Sequence, residues 1–167
     1  VKDYTIIRDR IVVQPIRGWQ RTENGQWDYW ADPVNRIGYV RLTSFSETSR
    51  DELDQVLTQL EKQGMRGLIL DLRYNSGGDG EATDLMFDYL APESADKKVY
   101  RRMVHNKTLS YLNKNDTIHR NEGSLDLDAL YVIGGEYTAS ASEVLINGLK
   151  PYLDLYLVGD TTYGKPN

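Results

Sequence analysis

The sequence predicts an α/β fold, a mainly parallel sheet with crossover helices and a β-ribbon insertion. Short apolar segments, of the kind that form buried parallel strands, alternate with segments whose apolar residues recur every three or four positions. Their order is strand, helix, strand, helix, insertion, strand, helix, strand. That alternation is typical of parallel strands joined by right-handed crossovers. A length of 167 residues suits roughly one such domain.

The first strand and helix follow one another directly. Residues 37–45 (IGYVRLTSF) form a predicted strand, and Ser49 and Glu52 after it have the spacing of a capping box. Gly64 stands where a glycine commonly ends a helix. The helix between these signals presents one apolar face, made of Leu53, Val56, Leu57 and Leu60.

The next two units repeat the pattern. Residues 67–72 (GLILDL) and 129–133 (ALYVI) are short apolar runs, as expected for strands covered on both faces. Pro92 and Pro151 end the helices that come after these strands. The apolar faces of the two helices are Ala82, Leu85, Met86, Tyr89 and Leu90, and Ala141, Val144, Leu145, Gly148 and Leu149.

A last strand and an insertion complete the predicted core. Leucines alternate at Leu153, Leu155 and Leu157, which predicts a strand at this position. Residues 97–125 are more polar, and they predict a β-ribbon and loop built from VYRRMVH and TIHR.

A leader precedes the core. Residues 4–16 have the pattern of a strand that the α/β core does not explain. We therefore expect two parts, a leader strand and linker over residues 1–30 and the core over residues 31–167.

Composition excludes several classes of protein. Hydrophobic residues make up 40% of the chain and charged residues 27%, values that exclude collagen-like and wholly disordered chains. No apolar run reaches the roughly 18 residues of a membrane span. The net charge is −5 and no long basic cluster is present, which argues against a nucleic-acid partner. The absence of cysteine excludes a thiol nucleophile and cysteine-ligated metals. No set of His, Asp and Glu has metal-ligand spacing, so no metal is expected.

Three polar segments each follow a predicted strand, and they are the strongest sign of a site. They are residues 73–78 (RYNSGG), 138–143 (TASASE) and 161–165 (TTYGK). Ligands of open α/β sheets bind at the carboxyl ends of the strands. If the three strands are parallel, the three loops lie together along that edge.

Ser140 is the candidate nucleophile because it opens a helix directly after a strand. The helix N-terminus favours developing negative charge, and the backbone N–H of Ala141 points into the same space. The Gly77–Gly78 pair lets backbone N–H groups approach a ligand, so the two segments could form an oxyanion hole. Both segments also have purely structural explanations. Ser140 and Glu143 have capping-box spacing, and the glycines also suit an ordinary turn.

A serine nucleophile needs a base, and Lys165 is the candidate. Both histidines, His105 and His119, fall in the polar insertion, away from the strand-end loops. Ser–Lys pairs are an established variant. A lysine acts as a base only when neutral, which requires its pKa to fall from about 10.4 to about 7–8. The alternative for Lys165 is a solvated loop lysine.

The acidic residues near these loops have structural explanations. Asp71 and Arg73 end the second strand, where we favour a structural ion pair over a role in shaping the glycine loop. Asp79, Glu81 and Asp84 fall in the first turn of a helix, where they complement its dipole.

Together these motifs resemble the C-terminal processing (tail-specific) serine proteases. Residues 67–78 (GLILDLRYNSGG) resemble the family's "DLR-N-GG" segment, residues 138–143 its nucleophile segment, and residues 159–165 (GDTTYGK) its lysine segment. The strand at residues 37–45 also matches. Each motif alone is weak, but all three occur in order, with the lysine 25 positions after Ser140.

The resemblance implies a crotonase/ClpP-like core with a Ser/Lys dyad. Ser140 would be the nucleophile and Lys165 the general base, with no metal or organic cofactor. The oxyanion hole would use backbone N–H groups of Ala141 and of Gly77 or Gly78. The remaining motif residues would support the site, namely Asp71, Arg73, Asn75 and Glu143.

The resemblance also implies substrates and a cellular location. Family members cut unstructured or C-terminal regions of proteins, mostly in the bacterial cell envelope or periplasm. They usually carry a PDZ module before the protease core, so the leader is expected to be the end of such a module. The core itself is expected to stop short of its last strands, which would leave this stretch alone inactive. The resemblance leaves the oligomeric state open.

Two other functions remain open at this point. A non-catalytic protein that binds peptides or apolar ligands could use the same fold, with the serine kept as a helix cap. An acyl-transferring or hydratase-type enzyme on a crotonase-like scaffold is the other, although no cofactor-phosphate motif supports it.

Overall fold

The structure, a computed structural model, describes residue 4, residues 7–8 and residues 14–165. Most of the predicted leader strand lies outside the described residues. The strands are β1 Ile16–Arg17, β2 Gln20–Arg21, β3 Trp27–Asp28, β4 Trp30–Asp32, β5 Ile37–Leu42, β6 Gly67–Asp71, β7 Val99–Met103, β8 Lys114–Thr117, β9 Ala129–Gly134 and β10 Leu155–Gly159. The helices are α1 Glu47–Lys62, α2 Gly80–Leu90 and α3 Ala141–Leu149, with short 3₁₀ turns at Glu93–Ala95 and Lys107–Leu112.

The main sheet has the strand order β1-β5-β6-β9-β10, and β4 also pairs with β5. Strands β5, β6, β9 and β10 are mutually parallel, whereas β1 and β4 run antiparallel to β5. The predicted mainly parallel sheet with crossover helices is therefore confirmed. The chain steps along the sheet in one direction from β5 to β10, so right-handed crossovers place α1, α2 and α3 on the same face. β1 and β4 join this sheet, and the predicted division of the chain near residue 30 stays a prediction.

The core lies between this face of the sheet and the three helices. Alternate strand residues such as Val40, Leu70 and Val132 point to the helices and are almost completely buried. On the opposite face, Tyr131 and Tyr156 stack on each other and stay about half exposed. The helix face of the sheet is thus packed, whereas the opposite face is half exposed at β9 and β10 and buried at Tyr39 and Asp71.

Helix α1 begins earlier than the sequence predicts. Its N-cap is Ser46, whose Oγ accepts the Ser49 N–H at 3.2 Å, while Ser49 Oγ accepts the Ser46 N–H at 2.8 Å. The predicted cap at Ser49, with Glu52 as its partner, is wrong. A serine at the third helical position replaces the usual Glu or Gln of a capping box, which shifts the motif by three residues.

The end of α1 confirms the role predicted for Gly64. Its φ is +76°, and its N–H donates to Glu61 O at 2.7 Å. The next N–H, of Met65, donates to Leu60 O at 3.0 Å. These two bonds form a Schellman motif, which favours glycine at the left-handed position.

The insertion is a β-ribbon, as predicted, but its second strand begins earlier than the sequence predicts. β7 pairs antiparallel with β8 at residues Lys114–Thr117, which reaches only the first residue of the predicted TIHR segment. Ile118, the next residue of that segment, exchanges backbone hydrogen bonds with Lys97 and Lys98 at 2.9 and 3.0 Å and is fully buried in the core. The ribbon packs on the helices because Tyr100 stacks on Phe87 with ring centroids 3.7 Å apart. Tyr152 Oη also donates to Val99 O at 2.7 Å.

The last strand, β10, starts at Leu155. Leu153, predicted as its first member, precedes it and packs against the core from the loop. None of the helices that the structure describes has the length and hydropathy needed to cross a membrane.

Candidate active site

The loops after β6, β9 and β10 meet at one edge of the sheet. Thr138 Oγ1 donates to Leu72 O at 2.8 Å, which joins the second loop to the first. Ala139 N–H donates to Asn75 O at 3.0 Å. Tyr163 N–H donates to Thr138 O at 3.0 Å, which adds the third loop. The convergence expected for parallel strands is therefore present in the structure.

Asn75 holds the first two loops together from a fully buried position. Its Nδ2 donates to Leu42 O at 3.0 Å, and its Oδ1 accepts the Gly77 N–H at 2.9 Å. Its carbonyl oxygen also accepts Ser142 Oγ at 3.1 Å. A buried amide whose nitrogen and oxygen each have a hydrogen-bond partner fixes the glycine loop against the start of α3.

Gly77 and Gly78 are required by their surroundings, beyond the needs of an ordinary turn. Gly77 has φ +100°, and a Cβ there would lie 2.8 Å from Ser140 Cβ and 2.9 Å from Ala141 N. Gly78 has φ +138°, and a Cβ there would overlap Phe45 O. Only glycine lets the loop backbone come this close to the N-terminus of α3.

Ser140 has a strained backbone and lies at a cleft. Its φ is +55° with ψ −118°, a region that non-glycine residues occupy at a cost of about 1–3 kcal/mol. Ser140 and Glu143 have the arrangement of a capping box, and the Ser140 N–H donates to Glu143 Oε2 at 2.8 Å. In the described residues the Ser140 hydroxyl donates its hydrogen to no protein acceptor, and Ser140 lines the cleft in front of the helix.

Two backbone donors face the same space as Ser140. In the described part of the chain, the N–H groups of Gly78 and Ala141 donate to no protein acceptor. Gly77 differs, because its N–H is taken by Asn75 Oδ1. Gly78, Ser140 and Ala141 together line a cleft of about 690 Å³.

Glu143 connects the serine segment to the lysine segment. Its buried carboxylate accepts Thr162 Oγ1 at 2.8 Å, Gly164 N–H at 2.6 Å and Lys165 N–H at 3.1 Å, besides the Ser140 N–H. Burial would raise the pKa of Glu143, but these four hydrogen bonds outweigh it and hold the pKa below its usual value. Glu143 is thus an ionised anchor inside the site.

Lys165 lines a depression that adjoins the Ser140 cleft. Glu143 and Gly164 line that depression too, and it shares Arg101 and Val144 with the Ser140 cleft. No hydrogen bond between Lys165 Nζ and Ser140 Oγ occurs within residues 14–165. The structure brings the two loops together without joining the two side chains.

Asp71 and Arg73 form the ion pair that the sequence analysis favours. Arg73 Nη2 donates to Asp71 Oδ2 at 2.7 Å, and Tyr39 Oη donates to the same oxygen at 2.6 Å. Burial opposes ionisation of Asp71, but the bonds from Arg73 and Tyr39 keep its pKa below the usual value. In turn, burial first and Asp71 second raise the pKa of Tyr39 to about 12. This cluster supports the end of β6 and does not line the serine cleft.

The acidic residues at the start of α2 divide into different roles. Asp79 is the N-cap, since its Oδ1 accepts the Ala82 N–H at 3.1 Å. Asp84 instead accepts Tyr100 Oη and faces Arg101 from 3.7 Å. The predicted dipole role therefore fits the start of the helix, and Asp84 helps to hold the ribbon.

The ribbon forms a wall of the cleft, which the sequence analysis missed. Arg101, Arg102 and His105 line the same cleft as Ser140. The expectation that both histidines lie away from the strand-end loops is wrong for His105, because Tyr100 packs on Phe87 and turns the ribbon over the site. No hydrogen bond links the His105 ring to Ser140 in the described residues. His119 lies elsewhere, with its Nε2 2.9 Å from Thr117 Oγ1.

Other residues were also missed by sequence reasoning. Thr138 and Thr162 each make a side-chain bond between loops of the site. Their places in the TASASE and GDTTYGK segments are the signal that could have found them. No group of three His, Asp or Glu side chains in the described residues is placed to hold a metal ion.

Comparison with known proteins gives the family. Residues 36–167 match the family model of peptidase family S41. The chain belongs to this family. A carboxyl-terminal-processing protease of Picosynechococcus is 30% identical over 99% of this chain and 36% of its own length. The carboxy-terminal processing protease CtpA of Bacillus subtilis is 30% identical over 98% of this chain and 31% of its own.

The solved structures of S41 proteases share the fold. The photosystem II D1 C-terminal processing protease superposes with a TM-score of 0.66 at 27% identity, over 95% of this chain and 39% of that one. The resemblance to C-terminal processing proteases is thus confirmed. The chain spans about a third of the length of the curated relatives described above.

Proposed function

We propose that this S41 chain forms the core of a serine endopeptidase that cuts unstructured or C-terminal regions of proteins. The observation that carries the proposal is the state of Ser140. It sits at the N-terminus of α3 with φ +55°, its hydroxyl donates to no protein acceptor in the described residues, and it lines a cleft. A strained residue persists where the surrounding structure imposes it, and such residues cluster at active sites.

The oxyanion hole in this proposal uses Gly78 and Ala141. Their N–H groups are without protein acceptors in the described residues and flank Ser140, whereas the Gly77 N–H is already committed to Asn75. Gly77 then has a supporting role, since its missing side chain makes room for the Ser140 turn. Fixed donors of this kind stabilise the charge that develops on a carbonyl oxygen, by roughly 3–4 kcal/mol per donor.

Lys165 is the general base in this proposal. Glu143 holds the Lys165 backbone next to the serine segment, and the flexible side chain must then bring its amine within hydrogen-bond reach of Ser140 Oγ. Hydrogen bonds at active sites are often incomplete without substrate, so the open geometry is compatible with this role.

The reaction proceeds through an acyl-enzyme. Neutral Lys165 Nζ takes the proton of Ser140 Oγ, which attacks the substrate carbonyl carbon, and the oxyanion rests on Gly78 and Ala141. The protonated lysine gives its proton to the leaving amine as the C–N bond breaks. Lys165, neutral again, then takes a proton from a water molecule, which attacks the ester carbonyl carbon. The lysine returns this proton to Ser140 Oγ as the ester C–O bond breaks and the acid product leaves.

No finding supports the alternative of a non-catalytic binding protein on this fold. A serine kept only as a helix cap has no need of the strained backbone of Ser140, since an ordinary N-cap residue has extended φ and ψ. Polypeptides are the proposed substrates, and a location in the bacterial cell envelope or periplasm belongs to the same proposal.

The test is peptide cleavage by the polypeptide in its full natural length. Ser140→Ala, Lys165→Ala and His105→Ala are compared between about pH 6 and 9 on an unstructured peptide with an apolar C-terminus. We expect the first two variants to lose at least about a thousandfold in kcat/KM, and the third to keep Ser140-dependent cleavage. We also expect a rate that rises with pH, because the base must first lose a proton.

Two results would overturn the proposal. Cleavage that survives Ser140→Ala would remove the nucleophile. Loss of activity in His105→Ala together with full activity in Lys165→Ala would move the role of base to the histidine on the cleft wall.

A further inference from the structure

The charged side chains of the Ser140 cleft are all basic. Among the residues that line it, Arg101, Arg102 and His105 are ionisable, and no Asp or Glu is present. The chain as a whole carries a net charge of −5, so the charge of the cleft lining is opposite in sign to that of the whole chain. All three basic residues come from β7 and the segment directly after it.

Arg101 is neutralised by its neighbours. Its Nε lies 2.6 Å from Asp116 Oδ2, and its Nη2 lies 3.7 Å from Asp84 Oδ1. Asp116 also pairs with Lys114 at 2.8 Å. This network fixes the ribbon to α2 and leaves little charge on Arg101 for a ligand.

Arg102 has no such partner. No carboxylate of the described residues lies within 4.0 Å of its guanidinium, and the residue is exposed to the cleft and to solvent. Arginine presents five N–H donors in a planar fork that fits a carboxylate with two bonds. Arg102 therefore contributes an uncompensated positive charge to the space in front of Ser140.

The rest of the cleft is mainly apolar. Met103, Val104, Ala141 and Val144 line it beside the two glycines of the α2 segment. A peptide seated there would displace water from around Arg102, and loss of water strengthens a charge–charge contact. An extended substrate with apolar side chains and one carboxylate would match both parts of the cleft.

We propose that Arg102 is a specificity-determining residue that selects substrates with a carboxylate close to the scissile bond. His105 on the same wall adds a second hydrogen-bonding side chain. The inference rests on the proposed peptidase function and names the chemistry of its preferred substrate. The carboxylate is an acidic side chain, or the terminal carboxylate of a peptide cut near its end.

The test compares matched peptides that differ in one position. A neutral peptide with an amidated C-terminus is varied to Asp or Glu, and to isosteric Asn or Gln, at each position around the bond that is cut. A further peptide is the neutral peptide with its free C-terminal carboxylate restored. Two ratios of kcat/KM are measured, Asp or Glu over Asn or Gln, and free over amidated C-terminus. Both are measured in the full natural chain and in Arg102→Gln, Arg102→Glu and Arg17→Gln.

We expect a ratio of roughly two to five in the wild-type protein, the upper part of the range for an exposed ion pair. Arg102→Gln should bring the ratio close to one, and Arg102→Glu should lower it below one, because two like charges then meet. Arg17→Gln, which removes an exposed arginine on β1, should keep the wild-type ratio. High salt should lower the ratio. A preference confined to the side-chain set or to the terminal set identifies the source of the carboxylate.

A wild-type ratio of one or below, with the neutral peptide still cut in a Ser140-dependent way, would overturn this inference and leave the peptidase proposal standing. A ratio unchanged by Arg102→Gln would do the same. If no peptide is cut, the binding of labelled acidic and amide peptides to Ser140→Ala is measured instead. The ratio of their dissociation constants then tests the role of Arg102 independently of cleavage. Equal binding of the two would overturn the role of Arg102.

Discussion

Ser140 and Lys165 donate their backbone N–H groups to the same oxygen atom, Oε2 of Glu143, at 2.8 and 3.1 Å. The two residues are far apart in the sequence and lie on loops after different strands. One buried carboxylate therefore fixes the distance between the backbones of the proposed nucleophile and base. It acts through the backbone, so Glu143 is a positioning residue.

Replacing Glu143 should damage activity more than the loss of one surface charge would. In Glu143→Gln the amide offers one acceptor oxygen to four donors, and its NH₂ group faces N–H groups. We expect a destabilisation of about 1–3 kcal/mol and a fall in kcat of at least about tenfold, with a smaller change in KM. Urea unfolding and steady-state kinetics measure both. Glu136→Gln, at an exposed glutamate in the loop after β9, should match the wild type.

The same residue predicts a pH dependence of stability. The folded pKa of Glu143 is lower than its ordinary value of 4.5, so the unfolded chain binds more protons between the two. The contribution to stability is complete above about pH 4.5 and is lost as the pH falls through the folded pKa. Unfolding free energies measured from about pH 3 to 7 should fall more steeply in the wild type than in Glu143→Gln. Equal slopes would contradict the assignment.

The strain at Ser140 predicts a trade of stability against activity. Both Ser140→Gly and Ser140→Ala remove the hydroxyl. Glycine also relieves the backbone strain at φ +55°, whereas alanine keeps it. Both variants should be inactive, but the glycine variant should be more stable than the alanine variant by about 1 kcal/mol. The denaturant midpoints of the two variants measure this difference in stability. An alanine variant as stable as the glycine variant would show that the turn is unstrained.

The glycine loop gives a prediction with a matched control. Gly78→Ala places a Cβ on Phe45 O at a φ that alanine avoids, which should displace the N–H proposed for the oxyanion hole. We expect kcat to fall by about a hundredfold or more. Gly135→Ala meets open space on the neighbouring loop and should retain both activity and fold. Comparable activity in both variants would exclude Gly78 from the oxyanion hole.

Asn75 should be the most costly of the site residues to remove. Asn75→Ala leaves Leu42 O and the Gly77 N–H without partners in a fully buried place. We expect a loss of about 2–4 kcal/mol in unfolding free energy, since each orphaned buried group costs about 1–3 kcal/mol. Asn147→Ala, at an exposed position of α3, is the control and should change stability little. A loss under about 1 kcal/mol in Asn75→Ala would mean that water replaces the amide.

Much of this architecture could be predicted because apolar periodicity follows directly from burial. The parallel strands and three helices needed only that signal, and the meeting of the three loops followed from strand direction. The cap of α1 was misplaced because Ser46 and Ser49 both suit the motif, and only their hydrogen bonds decide between them. Two features of the site depend on packing across the chain, and no local pattern encodes them. They are the backbone of Ser140 and the place of His105 on the cleft wall. The bond from the Gly77 N–H to Asn75 Oδ1 is local, since asparagine commonly bonds the backbone two residues further on.

Within the described residues, β10 is an edge strand that pairs with β9 alone. The Ser140 turn, by contrast, is bonded to Asn75 and the interior of the sheet. Edge strands open more readily than central ones, so in the 167-residue chain taken by itself partial opening would carry Lys165 away while the serine turn stayed folded. Mild heating of that chain would then separate the lysine segment from Ser140 before α3 unfolds. Amide hydrogen exchange in residues 155–165 of the same chain would report that early opening as fast exchange next to a protected α3.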